Sequence, residues 1–382
     1  MGYIAAALIF ISGIIFRRSV LMTIIMCLYM WMLVGLNVAS PDYENYRYIY
    51  NNIFVVGPSF EPIFYFFCVL CKKYLLLSYQ EFRMFYALIM VIVMYKTIKI
   101  YTKDVNFVLS LFLLMPFVGF VSGIRVGLSL LVSSYSFRYL LEERRFASLK
   151  YFLGILIASA IHFNSIFFVI LPFCKYIKTK VLFMLLLFAP AFLLVYYNGT
   201  LYSILSLLPL PPRALSWFLR DWSLHIKTKV VLIMFILQIS MIYLLHIAIM
   251  NFFKNRDFFK RCQLDINTIN FMGFVSTSKR STLWLRSNYL PLFLVPLYYV
   301  SVEFSRVFSG MLLVNYSILV SILIRSNYIK IFPGLIISRS VALALLVLLS
   351  LLFFSFYICI LFTDVFLPAV LQNNIIFQAI GR

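Results

Sequence analysis

The sequence predicts an all-α, polytopic membrane protein, and three observations carry that prediction. First, 64% of the 382 residues are hydrophobic and only 12% are charged, with a mean hydropathy of +1.01. No water-soluble domain buries that much apolar surface, so the solvent is lipid. Second, the apolar runs are continuous rather than alternating. That selects helices, whose backbone groups are satisfied within the segment, over an outer-membrane barrel. Third, the basic residues stand in small groups between apolar runs: Arg17-Arg18, Arg144-Arg145, Lys175 to Lys180 and Lys254 to Arg261. Cytoplasmic loops of membrane proteins have this pattern, and it argues against reading the net charge of +21 as a nucleic-acid footprint.

With those clusters placed in the cytoplasm, the elements follow in order. Residues 3–16 span inward and 19–38 return. Residues 39–79 form a first large outer segment, with an interfacial helix over 61–77. Residues 80–101 enter, 105–121 leave, 124–141 enter and 148–163 leave. The stretch 164–175 dips back and is shorter than the ~20 residues a full span needs. Residues 181–198 exit, 199–229 form a second large outer loop, 230–250 enter, and 251–282 make a basic cytoplasmic loop. Residues 283–303 leave, 307–324 enter and 341–362 leave. The count is roughly 11–13 transmembrane helices with both termini outside, by the positive-inside rule. Residues 1–382 read as one integral membrane domain without internal repeats. The six cysteines are scattered. Cys68 and Cys71 form a C-x-x-C in an apolar stretch with no second pair, which reads as buried small hydrophobes.

The outer side holds the residues able to do chemistry. Arg125, Arg306, Arg213 and Arg220 appear where hydrophobic runs meet that face. A cation near hydrocarbon is paired, snorkelling or functional, and converging guanidinium forks suit a lipid-linked diphosphate. Anchoring of helix ends in the head-group region is the plainer alternative. His162 stands at the outer end of an apolar helix; an imidazole can accept a proton near neutral pH, as activating a sugar hydroxyl needs, although a lone histidine also serves as a core hydrogen-bonding residue. Asp42 and Glu44 form a D-x-E that can act as base or ligand. Glu61 precedes Pro62 at a helix start, where helix capping competes with a catalytic role. Tyr43, Tyr46 and Tyr50 share one helical face; Tyr43 and Tyr46, with Glu44, are candidate sugar contacts, and an interfacial tyrosine belt explains the same residues without a ligand. No metal site and no cofactor is expected, and no glycine-rich loop is present to hold a nucleotide.

The succession "SPDYENY", "FEPIF", "GIRVGLSLLVSSYSFRYLLEERRF" and "ASAIHFNSIFFVILP", followed by an arginine opening a late aromatic span, resembles the EpsG/Wzy-like family of bacterial polysaccharide polymerases. The likeness is best over residues 35–175 and thinner over 300–325. Where that family commonly reads Ile-Arg-Gln, this chain has Ile124-Arg125-Val126. The resemblance implies a GT-C-like helical fold in the bacterial inner membrane, with 39–79 and 199–229 periplasmic. It implies a membrane glycosyltransferase that joins undecaprenyl-diphosphate-linked oligosaccharides into O-antigen, capsule or exopolysaccharide. Its partners would be that lipid-linked substrate, the bilayer, a flippase and a chain-length regulator. In this reading Arg125, Arg306, Arg213 and Arg220 hold diphosphate, and His162, Asp42 or Glu61 supplies the base. The competing classes are a lipid-linked oligosaccharide flippase, expected to show repeat-like halves, and a membrane O-acyltransferase, which needs a histidine facing a cytoplasmic acyl donor.

Overall fold

The structure, a computed structural model, describes residues 2–58, 61–142, 145–176, 228–254, 278–295, 304–326, 328–332 and 335–361, with a few isolated positions beyond them. It is an all-α polytopic membrane protein. A first hairpin pairs α1 (Gly2–Ile15) with α2 (Val20–Gly35). Ser19 caps α2 by accepting from the Met22 amide at 3.3 Å. Three short helices follow: α3 (Tyr43–Asn51), α4 (Ile53–Val56) and α5 (Pro62–Val69), the last running into a π-turn over Leu70–Tyr74. The predicted interfacial helix over 61–77 is thus one short helix and a π-turn.

Next come α6 (Tyr79–Tyr101), α7 (Val105–Phe112), a π-turn over Leu113–Phe117, α8 (Val118–Ser122), α9 (Ile124–Leu140) and α10 (Ala147–Ile161). Ser78 and Glu81 cap α6 reciprocally, Ser78 N–H donating to Glu81 Oε2 at 2.7 Å. Pro116 lacks the N–H a continuous helix needs, and Gly123 separates α8 from α9. A 3-10 segment, Phe163–Lys175, takes the place of the predicted dip. The remaining helices among the described residues are α11 (Thr228–Lys254), α12 (Ser278–Ser287), α13 (Leu290–Leu294), α14 (Ser305–Arg325) and α15 (Arg339–Leu361). A two-stranded antiparallel hairpin, Tyr328–Phe332 with Leu335–Ser338, joins α14 to α15 and was not foreseen.

Four described helical stretches are long and apolar enough to cross a membrane: Tyr79–Tyr101, Val105–Ser122, Ile233–Asn251 and Ser305–Arg325. Shorter apolar helices lie beside them, α1, α2 and α10 included. The central one is α14, buried along its whole length and flanked by α6, α7, α9, α11 and α15. Apolar side chains point outward in stripes, such as Ile4, Leu8, Ile11 and Ile15 on α1 and Leu149, Leu153 and Leu156 on α10. Polar ones lie inside, among them Asn106, Ser129, Ser133, Ser165, Asn288 and Asn315. This apolar-out, polar-in arrangement is what lipid as solvent selects. Helices α9 and α10 approach so closely that a Cβ on Gly154 would fall 2.1 Å from Ser136 Oγ. At one end of the bundle Asp104 binds Arg18, with Nε 2.8 Å away, and Arg17 at 3.4 Å. The other end carries α3–α5 and, of the residues singled out above, Asp42, Glu61, Arg125, His162 and Arg306.

Candidate functional site

At the α3–α5 end, five of the charged or titratable site residues stand at helix ends. Asp42 precedes α3 and Glu61 precedes α5; Arg125 lies in the first turn of α9, His162 ends α10, and Arg306 opens α14. Each break has a local cause: Pro62 after Glu61, Gly123 before Ile124-Arg125, and an extended backbone at His162. Irregular backbone at membrane depth is tolerated only where protein surrounds it or a cavity adjoins it.

Glu61 is the hub. It is 6% exposed and makes no capping hydrogen bond with its side chain, so its carboxylate is turned to partners distant in sequence. Oε2 accepts from Arg125 Nη1 in a short charge-assisted bond, and Oε1 faces His162 Nε2 at 3.5 Å. His162 is 8% exposed and fixed on its other side: Nδ1 accepts from the Asn164 amide at 3.3 Å. With Nδ1 accepting, the proton of the neutral imidazole sits on Nε2, toward Glu61. Ser129 Oγ donates to the His162 carbonyl at 3.2 Å and adjoins Ser165 Oγ at 2.5 Å, tying the turn to α9.

Aromatic rings complete the cradle. The Arg125 guanidinium stands 4.8 Å from the Tyr46 ring centroid and 5.2 Å from that of Phe64. Such contacts contribute about 0.5–2 kcal/mol each, more where water is excluded. Burial pushes the Tyr46 hydroxyl above its ordinary pKa, opposed chiefly by the Arg125 guanidinium. Asp42 pushes the same hydroxyl up and Arg306 pulls it down, so both charges lie within electrostatic reach of Tyr46. Asp42 Oδ2 also accepts from Ser122 Oγ at 3.2 Å, which links the α3 entry to the turn before Arg125.

The structure therefore brings together Glu61, Arg125, His162 and Tyr46, with Asp42 and Arg306 beside them. It places two expected sugar contacts elsewhere. Glu44 points out to solvent, 75% exposed at the side chain and 3.5 Å from Arg47. Tyr43 turns toward α6, its ring 5.2 Å from that of Tyr79 and its hydroxyl 3.3 Å from Gln80 Oε1. Tyr43, Tyr46 and Tyr50 on α3 are buried protein contacts, whereas Tyr48 on the same helix is exposed. Arg213 and Arg220 lie outside the described residues.

Sequence reasoning missed three residues here. Phe64 reads as ordinary apolar filling and Ser122 as a generic turn residue. Arg83, fully buried on α6, carried a usable signal: a lone cation inside an apolar run is costly and seldom idle. Cys68 and Cys71 are free and buried, and burial pushes both thiols up, away from the reactive thiolate.

No curated protein and no solved structure matches the chain. The EpsG family model matches residues 20–358, a stretch that holds every described site residue. A polytopic helical chain matched over nearly its whole length in this way belongs to the EpsG family.

Proposed function

We propose that the protein is a polysaccharide polymerase that joins undecaprenyl-diphosphate-linked oligosaccharides on the outer face of the bacterial inner membrane. The observation that carries this reading is the clustering of Arg125 with Glu61, His162 and Tyr46, with Arg306 in electrostatic reach. EpsG family membership supports it. A guanidinium stacked on aromatic rings at a membrane-protein end suits the diphosphate of a lipid-linked donor and leaves the rings to meet sugars.

In the resting site the Glu61 carboxylate occupies Arg125 as an internal anion. An entering diphosphate takes over Arg125 and Arg306, and Glu61 is released beside His162. Freed from its cation, Glu61 becomes more basic, because an opposite charge no longer favours its ionised form. It then accepts the proton of the acceptor sugar hydroxyl. The hydroxyl oxygen attacks the anomeric carbon of the donor, the bond from that carbon to the diphosphate oxygen breaks, and its electron pair leaves on the diphosphate. Arg125 and Arg306 stabilise the charge that develops there, an effect typically of several kcal/mol. His162 acts through Glu61: its Nδ1 is occupied and its Nε2 faces the carboxylate, so it orients the base. Asp42, half-buried and accepting from Ser122 Oγ, stands as a second carboxylate toward the acceptor.

The test is reconstitution of the purified protein in nanodiscs with lipid-linked repeat units. A ladder of polymer lengths that disappears in Arg125→Ala and Arg306→Ala, at equal protein level, is the expected result. Translocation of the lipid-linked unit without bond formation would identify a flippase and refute the proposal.

A further inference from the structure

Arg83 lies one turn inside α6 and is completely buried, yet no carboxylate among the described residues pairs with it. Its planar fork is used up on other acceptors. Nε donates to the Val34 carbonyl at 2.6 Å and Nη2 to the Val121 carbonyl at 2.7 Å. Nη1 reaches the Tyr79 hydroxyl at 3.4 Å, Nη2 also reaches Ser40 Oγ at 3.5 Å, and the Tyr43 ring centroid is 5.4 Å from Cζ.

The two carbonyls have a common property. Val34 is in the last turn of α2 and Val121 in the last turn of α8, so neither oxygen has an intrahelical N–H to receive. Each helix leads directly into the site. From α2 the chain runs through Ser40 to Asp42, and from α8 through Ser122 and Gly123 to Arg125. One rigid side chain thus spans both exits, and the Asp42–Ser122 hydrogen bond closes the same bridge a few residues further on.

We propose that Arg83 is a positioning residue of the polymerisation site, which sets the separation between the acceptor-side Asp42 and the donor-side Arg125. This rests on the polymerase reading above. Arg83 touches neither substrate. It holds two helix ends whose spacing decides whether acceptor and anomeric carbon meet at reacting distance. Lysine does not replace it, since a single ammonium lacks the planar fork that reaches two carbonyls at once.

The experiment compares Arg83→Gln, Arg83→Lys and the control Arg125→Ala in nanodiscs, with initial polymerisation rates followed against donor concentration and melting temperatures measured alongside. Arg83→Gln is expected to lower kcat roughly 100-fold per folded molecule, as misplacement of about 1 Å does, with donor KM within about threefold. Arg83→Lys falls between Arg83→Gln and the unaltered protein. Unchanged kcat in the folded variants, or a loss that follows only the folded fraction, overturns the proposal, as does a rise in KM at constant kcat. If Arg83→Gln fails to insert, Arg83→Lys is judged by the same criteria. Normal polymerisation by Arg125→Ala refutes the polymerase site itself and this proposal with it. A dead Arg125→Ala beside a normal Arg83→Lys refutes the role of Arg83 alone.

Discussion

Glu61→Gln separates the two roles assigned to that carboxylate, because the amide keeps its shape and loses its charge. In the resting protein Glu61 holds Arg125 Nη1 on one oxygen and meets His162 Nε2 on the other, both partners being nearly buried. Hydrogen bonds to charged groups contribute about 1.5–3 kcal/mol net. A diphosphate must displace that bond, so removing the competitor should tighten donor binding about 10- to 150-fold. The same change removes the base, and loss of general-base assistance lowers kcat about 10²–10⁴-fold. Folding stability should fall as well, because breaking a buried ion pair costs about 3–5 kcal/mol. The Tyr46 and Phe64 rings offset part of this by about 0.5–2 kcal/mol each. Binding of undecaprenyl diphosphate to the variant in nanodiscs, together with initial polymerisation rates, reads both effects. Weaker diphosphate binding would show that Glu61 does not compete for Arg125. Normal kcat would show that it is not the base. Either result refutes the displacement mechanism.

Arg125→Lys should lose about 100-fold in polymerisation at normal protein level, because a lysine ammonium neither stacks flat on Tyr46 and Phe64 nor forks to two phosphate oxygens; rates with a defined lipid-linked donor check this. Asn106→Ala should cost about 2–4 kcal/mol, since its amide donates to the Phe16 carbonyl at 2.6 Å and the Ser19 carbonyl at 2.9 Å and accepts from Thr23 Oγ1 at 2.6 Å. A lowered melting temperature in detergent with unchanged specific activity is the expected readout. Tyr43 and Tyr46 are held above their ordinary pKa by burial. The folded state therefore keeps these protons when the unfolded chain begins to lose them, and their contribution is fully present below about pH 10 and lost above it. Tyr46→Phe should flatten that alkaline loss in melting temperature, and an unchanged profile would contradict the assignment.

The apolar runs made most of the elements between residues 20 and 176 legible in advance, because lipid allows only helices or closed barrels and continuous rather than alternating runs select helices. Breaks inside those runs were harder to place. The π-turns at Leu70–Tyr74 and Leu113–Phe117 and the strand pair after α14 depend on local contacts that hydropathy averages away. Composition also exposed the candidate site residues, since ionisable groups are rare in so apolar a chain and stand out at the ends of its runs. Their grouping did not follow from composition. Glu44 and Glu61 both stood as candidates in the first outer segment, one as a sugar contact and the other as a base, yet Glu44 is exposed beside Arg47 and Glu61 is buried against Arg125. Arg83 was not singled out from the sequence, and its meaning came from two carbonyls on other helices.

By itself, then, the sequence determined the solvent, the helical class and the small set of ionisable residues, all properties that sum along the chain. Tertiary structure alone decided that Glu61, Arg125 and His162 form one cluster, because they come from α5, α9 and α10 and meet only where those helices break. It also decided which acids are buried beside a cation, Glu61 at Arg125 and Asp104 at Arg17 and Arg18. A buried carboxylate persists only beside a cation that offsets its desolvation, and the position of that cation is a property of packing.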